Sequence, residues 1–416
     1  MPCSKFLCLG RSWQASQSSH RSGSRKGYLK KGCPPGRHLQ WQVERERRRT
    51  GFDAVDQKTT SQSGSGPLHL VWRLTILTLA LVVAVGPTSE ACVERIYSRG
   101  VYPIIQQVFT SLSNQVPVAL FDFLVIGSVV ALIAKCITTL RRSSMVRRPV
   151  IVLVLVREIA VVMALVYLVF MLSWGFNYRR ESLESKLDFD TSRITPASLE
   201  ALARESVVQL NQLHGLAQAR PWPTLESVPK VLVKPFRYAQ GQLPAAAEPQ
   251  LARPKTSWFD FYFRQAAIDG FTDPFLLETL INSDVLPFER PFIVLHEWAH
   301  LAGYADEAEA SFVAWLASQS GDAAVQYSAW LFLYPHLMRQ LDTDTRGEVT
   351  AVLHLGPSRD LVAIRDRLGQ SMPVMRRQAS WVYDRYLRAN RVSSGIASYG
   401  RVLELVLGAR VSEVDR

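Results

Sequence analysis

The sequence predicts a mainly α (α+β) protein in which three transmembrane helices precede a mostly helical domain outside the cytoplasm. Three observations carry this expectation. Apolar segments lie at about 68–87, 116–135 and 150–174, each near the ~20 residues a bilayer core requires. Lys and Arg are unevenly divided between the loops joining them. Beyond residue 175, apolar residues recur mostly at helical spacing and strand signals are few.

Composition narrows the classes further. With 48% hydrophobic and 20% charged residues, the 416-residue chain is neither mainly disordered nor collagenous nor a coiled coil. Its five cysteines (Cys3, Cys8, Cys33, Cys92 and Cys136) exclude a disulfide scaffold. They also leave the C-terminal part without a thiolate for catalysis or metal binding. Residues 1–66 hold thirteen Lys/Arg against four Asp/Glu, which is +9 of the net +12. The body is therefore close to neutral, and no nucleic-acid partner is expected. The leader 1–66 is rich in Ser, Gly, Arg and Lys and without period, so it reads as disordered.

The first apolar segment contains Arg73 near its start and ends at Gly86-Pro87, with a signal peptide as the competing reading. The second contains Asp122 and the third Arg157-Glu158. Either the membrane portion of the third begins near Arg157, or Asp122 and Arg157 form an intramembrane functional pair. Lys135, Arg141, Arg142, Arg147 and Arg148 join the second and third segments without an acid. The connection at 88–115 is balanced, with Glu90, Glu94, Arg95 and Arg99. Positive charge stays in the cytoplasm, so three crossings place everything after Trp174 outside and make the lipid bilayer a partner.

Three regions follow: the leader at 1–66, the membrane region at 67–174 and a large domain at 175–416. Within the domain, Thr195-Pro196 is a helix start, an N-cap followed by Pro at the first position. One short strand is expected at 230–235 and helices at 307–319, 324–341, 357–368, 374–390 and 398–409.

Chemistry concentrates at 291–316, PFIVLHEWAHLAGYADEAEASFVAWL. His296-Glu297-Trp298-Ala299-His300 is an HExxH. On a helix, i and i+4 share a face, so His296 and His300 can hold one metal ion, and zinc suits imidazole and carboxylate donors. Glu297 then stands beside a zinc-bound water as general base for hydrolysis of a peptide bond in a peptide or protein substrate. Gly303 is placed to end the helix, and Asp306, Glu307 and Glu309 open the next one. Glu307 shares a small-residue face with Ala310, Ser311 and Ala314 and is the expected third ligand. Glu309 is the alternative and Asp306 a third choice. A transition-state donor is sought among Tyr399, Tyr383 and His336, with Tyr399 the catalytic choice. Residues 276–285 read as an edge strand for an extended peptide or as an ordinary loop, and Glu278 as a surface carboxylate or a group for a substrate amine.

On LFDF (120–123), WGFNYRR (174–180), GFTDPFLLE (270–278), the HEWAHLAGYADEAEASF stretch and YDRYLRANRVSSGIASYGRV (383–402), the chain resembles a bacterial family of multi-span membrane proteins known only as a domain of unknown function. The resemblance covers roughly 116–410. It implies a zincin-like, gluzincin-type core, a membrane-anchored zinc metallopeptidase with two His and a Glu as ligands, and residence in the bacterial inner membrane. The pattern HExxH…ExxA[DN] is similar, but Ser311 stands where that pattern ends in Asp or Asn. Two other classes compete. One is a catalytically inactive zincin-fold envelope or interaction protein, which has no use for Glu297. The other is a transport component, for which three spans with few polar residues make a poor pathway.

Overall fold

The computed structural model describes residues 66–142, 148–244, 248–392, 395 and 401–410. Two compact units are distinguished, Met1–His69 and Leu70–Arg416, and the first contributes only the opening residues of one helix to the described structure. The leader expected at 1–66 lies, apart from Gly66, outside the described residues, as does Tyr399.

Helix α1 covers Gly66–Val85 and stops at Gly86-Pro87 as its sequence dictates. After a 116° bend comes α2, Glu90–Asn114, which winds as a wider π-helix between Val93 and Val101. Helix α3 spans Leu120–Arg142 and α4 Arg148–Ser173. Both are long and apolar enough to cross a membrane, whereas α1 meets that test only together with α2. The second segment turns helical at Leu120 rather than at 116, because Pro117 disfavours helical geometry at Val116.

Helix α2 departs most from expectation. Its sequence reads as a loop between membrane segments, yet its polar residues are buried against later parts of the chain. Glu94 forms ion pairs with Arg180 (2.8 Å) and Lys186 (3.1 Å). The Tyr102 hydroxyl donates to Leu301 O (2.9 Å), and that of Thr110 to Leu277 O (2.9 Å). Ser113 donates to Glu278 (2.8 Å). Buried polar groups persist only when paired, so these bonds lock α2 into the domain.

The two helices apolar enough to cross a membrane are held to the same domain. The Phe121 amide, at the free N–H end of α3, donates to Glu278 Oε2 (2.8 Å). Asp122 accepts from the Ser257 hydroxyl (2.5 Å) and the Trp258 amide (2.7 Å). At the end of α4, Ser173 donates to Pro274 O (2.7 Å). Helices α3 and α4 thus leave and rejoin the domain as a hairpin. Asp122 and Arg157 do not pair, which corrects that alternative. Glu158 instead draws Arg157 (3.0 Å), Arg73 of α1 (2.8 Å) and Lys135 of α3 (2.8 Å).

The domain continues with β1 (Asp188–Phe189), α5 (Pro196–Gln218), α6 (Val228–Gln242), α7 (Asp260–Ala266), β2 (Gly270–Thr272) and β3 (Thr279–Ile281). Helices α8 (Arg290–Leu301), α9 (Glu307–Gln319), α10 (Ala323–Gln340), α11 (Thr343–Ala351), α12 (Leu355–Gly369), α13 (Pro373–Ala389) and α14 (Val402–Gly408) follow, before β4 (Ala409–Arg410). Thr195 caps α5 through a reciprocal pair with Ser198, and Pro335 sits inside α10 without ending it. The strand expected at 230–235 is helical. Val228, Leu232, Pro235, Phe236 and Ala239 form one buried stripe of α6, a 3.6-residue period that the short apolar run conceals.

Strands β1 and β4 pair antiparallel, as do β2 and β3, with Phe271 opposite Leu280. Lys255 bridges to Leu280 on the other side of β3. Residues 276–285 are therefore not an edge. Among the described residues the outer strand is β2. Helix α8 lies at the centre of the core, where fully buried Trp298 donates its indole N–H to Ala252 O (2.9 Å). Burial of such a side chain contributes about 2–3 kcal/mol.

Candidate metal centre

Two helices and the turn between them build the site. Helix α8 carries His296 and His300 one turn apart, with ring centroids 4.7 Å from each other. It ends where Gly303 adopts φ +89°, a left-handed conformation that favours glycine. The Gly303 amide donates to His300 O (2.8 Å) and the Tyr304 amide to Ala299 O (3.1 Å), which reverses the chain within a few residues. Asp306 then caps α9, its Oδ1 accepting from the Ala308 (2.9 Å) and Glu309 (3.3 Å) amides. Glu307 opens the helix facing α8, as the small-residue face predicts.

The three side chains converge. Glu307 Oε2 lies 3.1 Å from His296 Nε2 and 3.5 Å from His300 Nε2, and one donor atom from each residue falls within 4.8 Å of the others. The remaining ring nitrogens are engaged outside the cluster. His300 Nδ1 lies 2.8 Å from Tyr304 O, and His296 Nδ1 lies 3.2 Å from the Ser311 hydroxyl. Such outer partners fix ring orientation and leave both Nε2 atoms aimed at one point. The other oxygen of Glu307, Oε1, accepts a hydrogen bond from the Tyr383 hydroxyl. Two imidazole nitrogens and one carboxylate oxygen are a donor set that suits zinc, so the residues present fit that ion.

Electrostatics follow from the same geometry. Burial alone would depress the pKa of His300, but the Glu307 carboxylate beside it reverses this and holds it at about 9. Burial opposes ionisation of Glu307, yet His300 and His296 keep its pKa well below the usual carboxylate range. Glu297 is buried next to the cluster, and burial raises its pKa against the opposing charges of His296 and His300. Thr272 of β2 donates to Glu297 Oε2 (2.8 Å). A Cβ at Gly270 would lie 2.4 Å from Glu297 Oε1, so only glycine lets the strand approach this closely.

The remaining candidates are placed elsewhere. Glu309 points away from the imidazoles, accepting from the Leu183 amide (2.5 Å), and burial lifts its pKa to about 7. Asp306 is held in its cap. His336 packs on Phe332, with Nδ1 2.9 Å from Arg339. Glu278 is neither a surface carboxylate nor open to a substrate amine. It is fully buried, 2.5 Å from Lys255 Nζ and bonded to Ser113 and Phe121.

Residue-type reasoning missed Gly270, Thr272 and the orienting roles of Ser311 and Trp174, whose indole N–H reaches His300 O at 3.4 Å. The signal was present in the landmark segments themselves, since WGFNYRR supplies Trp174 and GFTDPFLLE supplies Gly270 and Thr272.

Comparison with curated proteins and with solved structures returned no match. A family match covers residues 97–407, and it begins inside α2, in keeping with the packing of that helix into the domain. The chain belongs to the family described as Protein of unknown function (DUF3810).

Proposed function

We propose that this protein is a zincin-like zinc metallopeptidase, anchored by three crossings in the inner membrane of a bacterial cell with its domain on the extracytoplasmic side. The convergence of His296, His300 and Glu307, with both Nδ1 atoms engaged elsewhere, is the observation that carries the reading. His296 Nε2, His300 Nε2 and Glu307 Oε2 would hold the ion. Zinc, when bound, supplies Lewis acidity toward a carbonyl oxygen and toward water.

The chain's own residues supply the rest. Glu297 is a buried carboxylate, and the raised pKa that burial gives it makes it a stronger proton acceptor than a surface glutamate. Thr272 holds one of its oxygens and Gly270 gives the other its space, so its orientation is set before a substrate arrives. The same carboxylate returns the proton to the departing amine. Among the described residues β2 pairs with β3 on one side only, which suits alignment of an extended peptide beside Glu297. His296 is the least buried of the three candidate ligands and marks the open side of the site.

The test is peptide hydrolysis by the full chain in detergent, wild type beside Glu297→Gln. A fragment starting at 175 would strip Glu94 from Arg180 and Lys186, so the full chain is required. The reading predicts zinc-dependent cleavage that falls at least ~100-fold in Glu297→Gln with metal retained. Cleavage unaffected by the substitution would overturn Glu297 as the base.

A further inference from the structure

Helices α7 and α13 leave a large apolar surface uncovered. Trp258, Phe261, Tyr262, Val374, Trp381 and Val382 are all exposed, Trp381 to 62% and Phe261 to 60%. On α13 the pattern is amphipathic. Met375, Ala379, Tyr383 and Leu387 face the protein at helical spacing, while Val374 and Trp381 stand on the opposite side. A patch of this kind marks an interaction surface.

Its position identifies the occupant. Trp258 packs edge-to-face on Phe123 in the first turn of α3 (4.8 Å), and its amide is held by Asp122. On the protein side of α13, Tyr386 meets Phe170 in the last turn of α4 (5.9 Å). Arg391, just past α13, bonds to Gly86 O (2.9 Å) beyond the end of α1. The Met372 amide donates to Gln265 O (3.1 Å) and ties α13 to α7. The surface is thus continuous with the points where the membrane helices meet the domain.

We infer that α7 and α13 rest on the lipid surface on the domain side, with Trp258, Phe261, Val374 and Trp381 in the headgroup–acyl boundary. Aromatic and aliphatic side chains flanked by arginine are what such a boundary selects. Arg376, Arg377 and Arg385 supply the charge, and the one acid of the helix, Asp384, pairs with Arg388. Arg385 lies 5.3 Å over the exposed Trp381 ring, which sets a cation beside an indole as a headgroup boundary favours. The same basic face disfavours a symmetric contact with a second copy, which would set arginines against arginines. The inference rests on α3 and α4 crossing the bilayer and is independent of metal. It also puts the membrane one helix diameter from Glu307, since α13 reaches that carboxylate through Tyr383.

The test is tryptophan fluorescence of the full chain in nanodiscs of phosphatidylcholine and phosphatidylglycerol, with and without bromine near the head of the acyl chains. Conservative changes at exposed positions, Trp381→Phe and Trp258→Phe, leave the core intact. Each is expected to remove part of the bromine-quenched signal, whereas Trp222→Phe, within the domain, removes none. A quenched signal unchanged by both substitutions would overturn the inference. So would cross-links joining α13 of two copies in the same nanodisc preparation, which would assign the face to a second chain.

Discussion

Tyr383 and Glu307 are joined by a hydrogen bond in which the phenol donates to Oε1, while Oε2 of the same carboxylate faces both imidazoles. One oxygen is thereby held in place and the other left to the ion. Loss of such an outer partner typically costs 10–100-fold in metal affinity. Tyr383→Phe is expected to weaken zinc binding by about that factor, read by competition with a chromogenic chelator, with no change in thermal stability of the metal-loaded protein beyond ~1 kcal/mol.

Gly270→Ala places a methyl group 2.4 Å from Glu297 Oε1, so the carboxylate must move. Peptide hydrolysis is expected to fall ~10–100-fold while zinc content stays at the wild-type level. Gly347→Ala is the contrasting case. A Cβ there meets nothing within 4 Å in α11, and the variant gains roughly 0.5–1 kcal/mol.

In metal-free protein the raised pKa of His300 makes stability depend on pH. A base whose folded pKa stands at about 9, against 6.5 unfolded, contributes its full stabilisation below pH 6.5 and loses it as pH climbs through 9. The loss is about 3 kcal/mol at the conversion of 1.36 kcal/mol per pKa unit. Melting in detergent with a chelator should therefore fall between pH 6.5 and 9. Zinc, which replaces the proton, should flatten that dependence.

Glu278 and Lys255 are fully buried and opposite in charge, and Glu278 also holds Ser113 and Phe121. Glu278→Gln leaves Lys255 without its counter-charge and is expected to destabilise the fold by ~3–5 kcal/mol. A chemical melt measures this. A variant that melts like wild type but binds substrate less tightly would restore the substrate-amine role.

Much of the site was legible because its information is local. The i, i+4 spacing of His296 and His300, the turn at Gly303 and the small face of α9 all lie within twenty residues. Helix starts marked by a cap, such as Thr195-Pro196, are local too. What stayed hidden depends on distant partners. The polar face of α2 reads as a solvated loop until Leu301, Leu277 and Glu278 appear opposite Tyr102, Thr110 and Ser113. Glu309 stayed open as an alternative to Glu307 because the Leu183 amide that holds it lies more than a hundred residues earlier. Thr272 and Gly270 stayed hidden for a different reason, since they reach Glu297 from a separate strand 25 or more residues earlier, beyond the reach of helical spacing.

The most direct measurement is zinc content of the purified full chain, by elemental analysis, for wild type, His296→Ala, His300→Ala and Glu297→Gln. The convergence of two imidazoles and Glu307 predicts about one zinc ion per chain in wild type and Glu297→Gln, and close to none in either histidine variant. Equal zinc in all four proteins, or none in wild type after zinc loading, would contradict it.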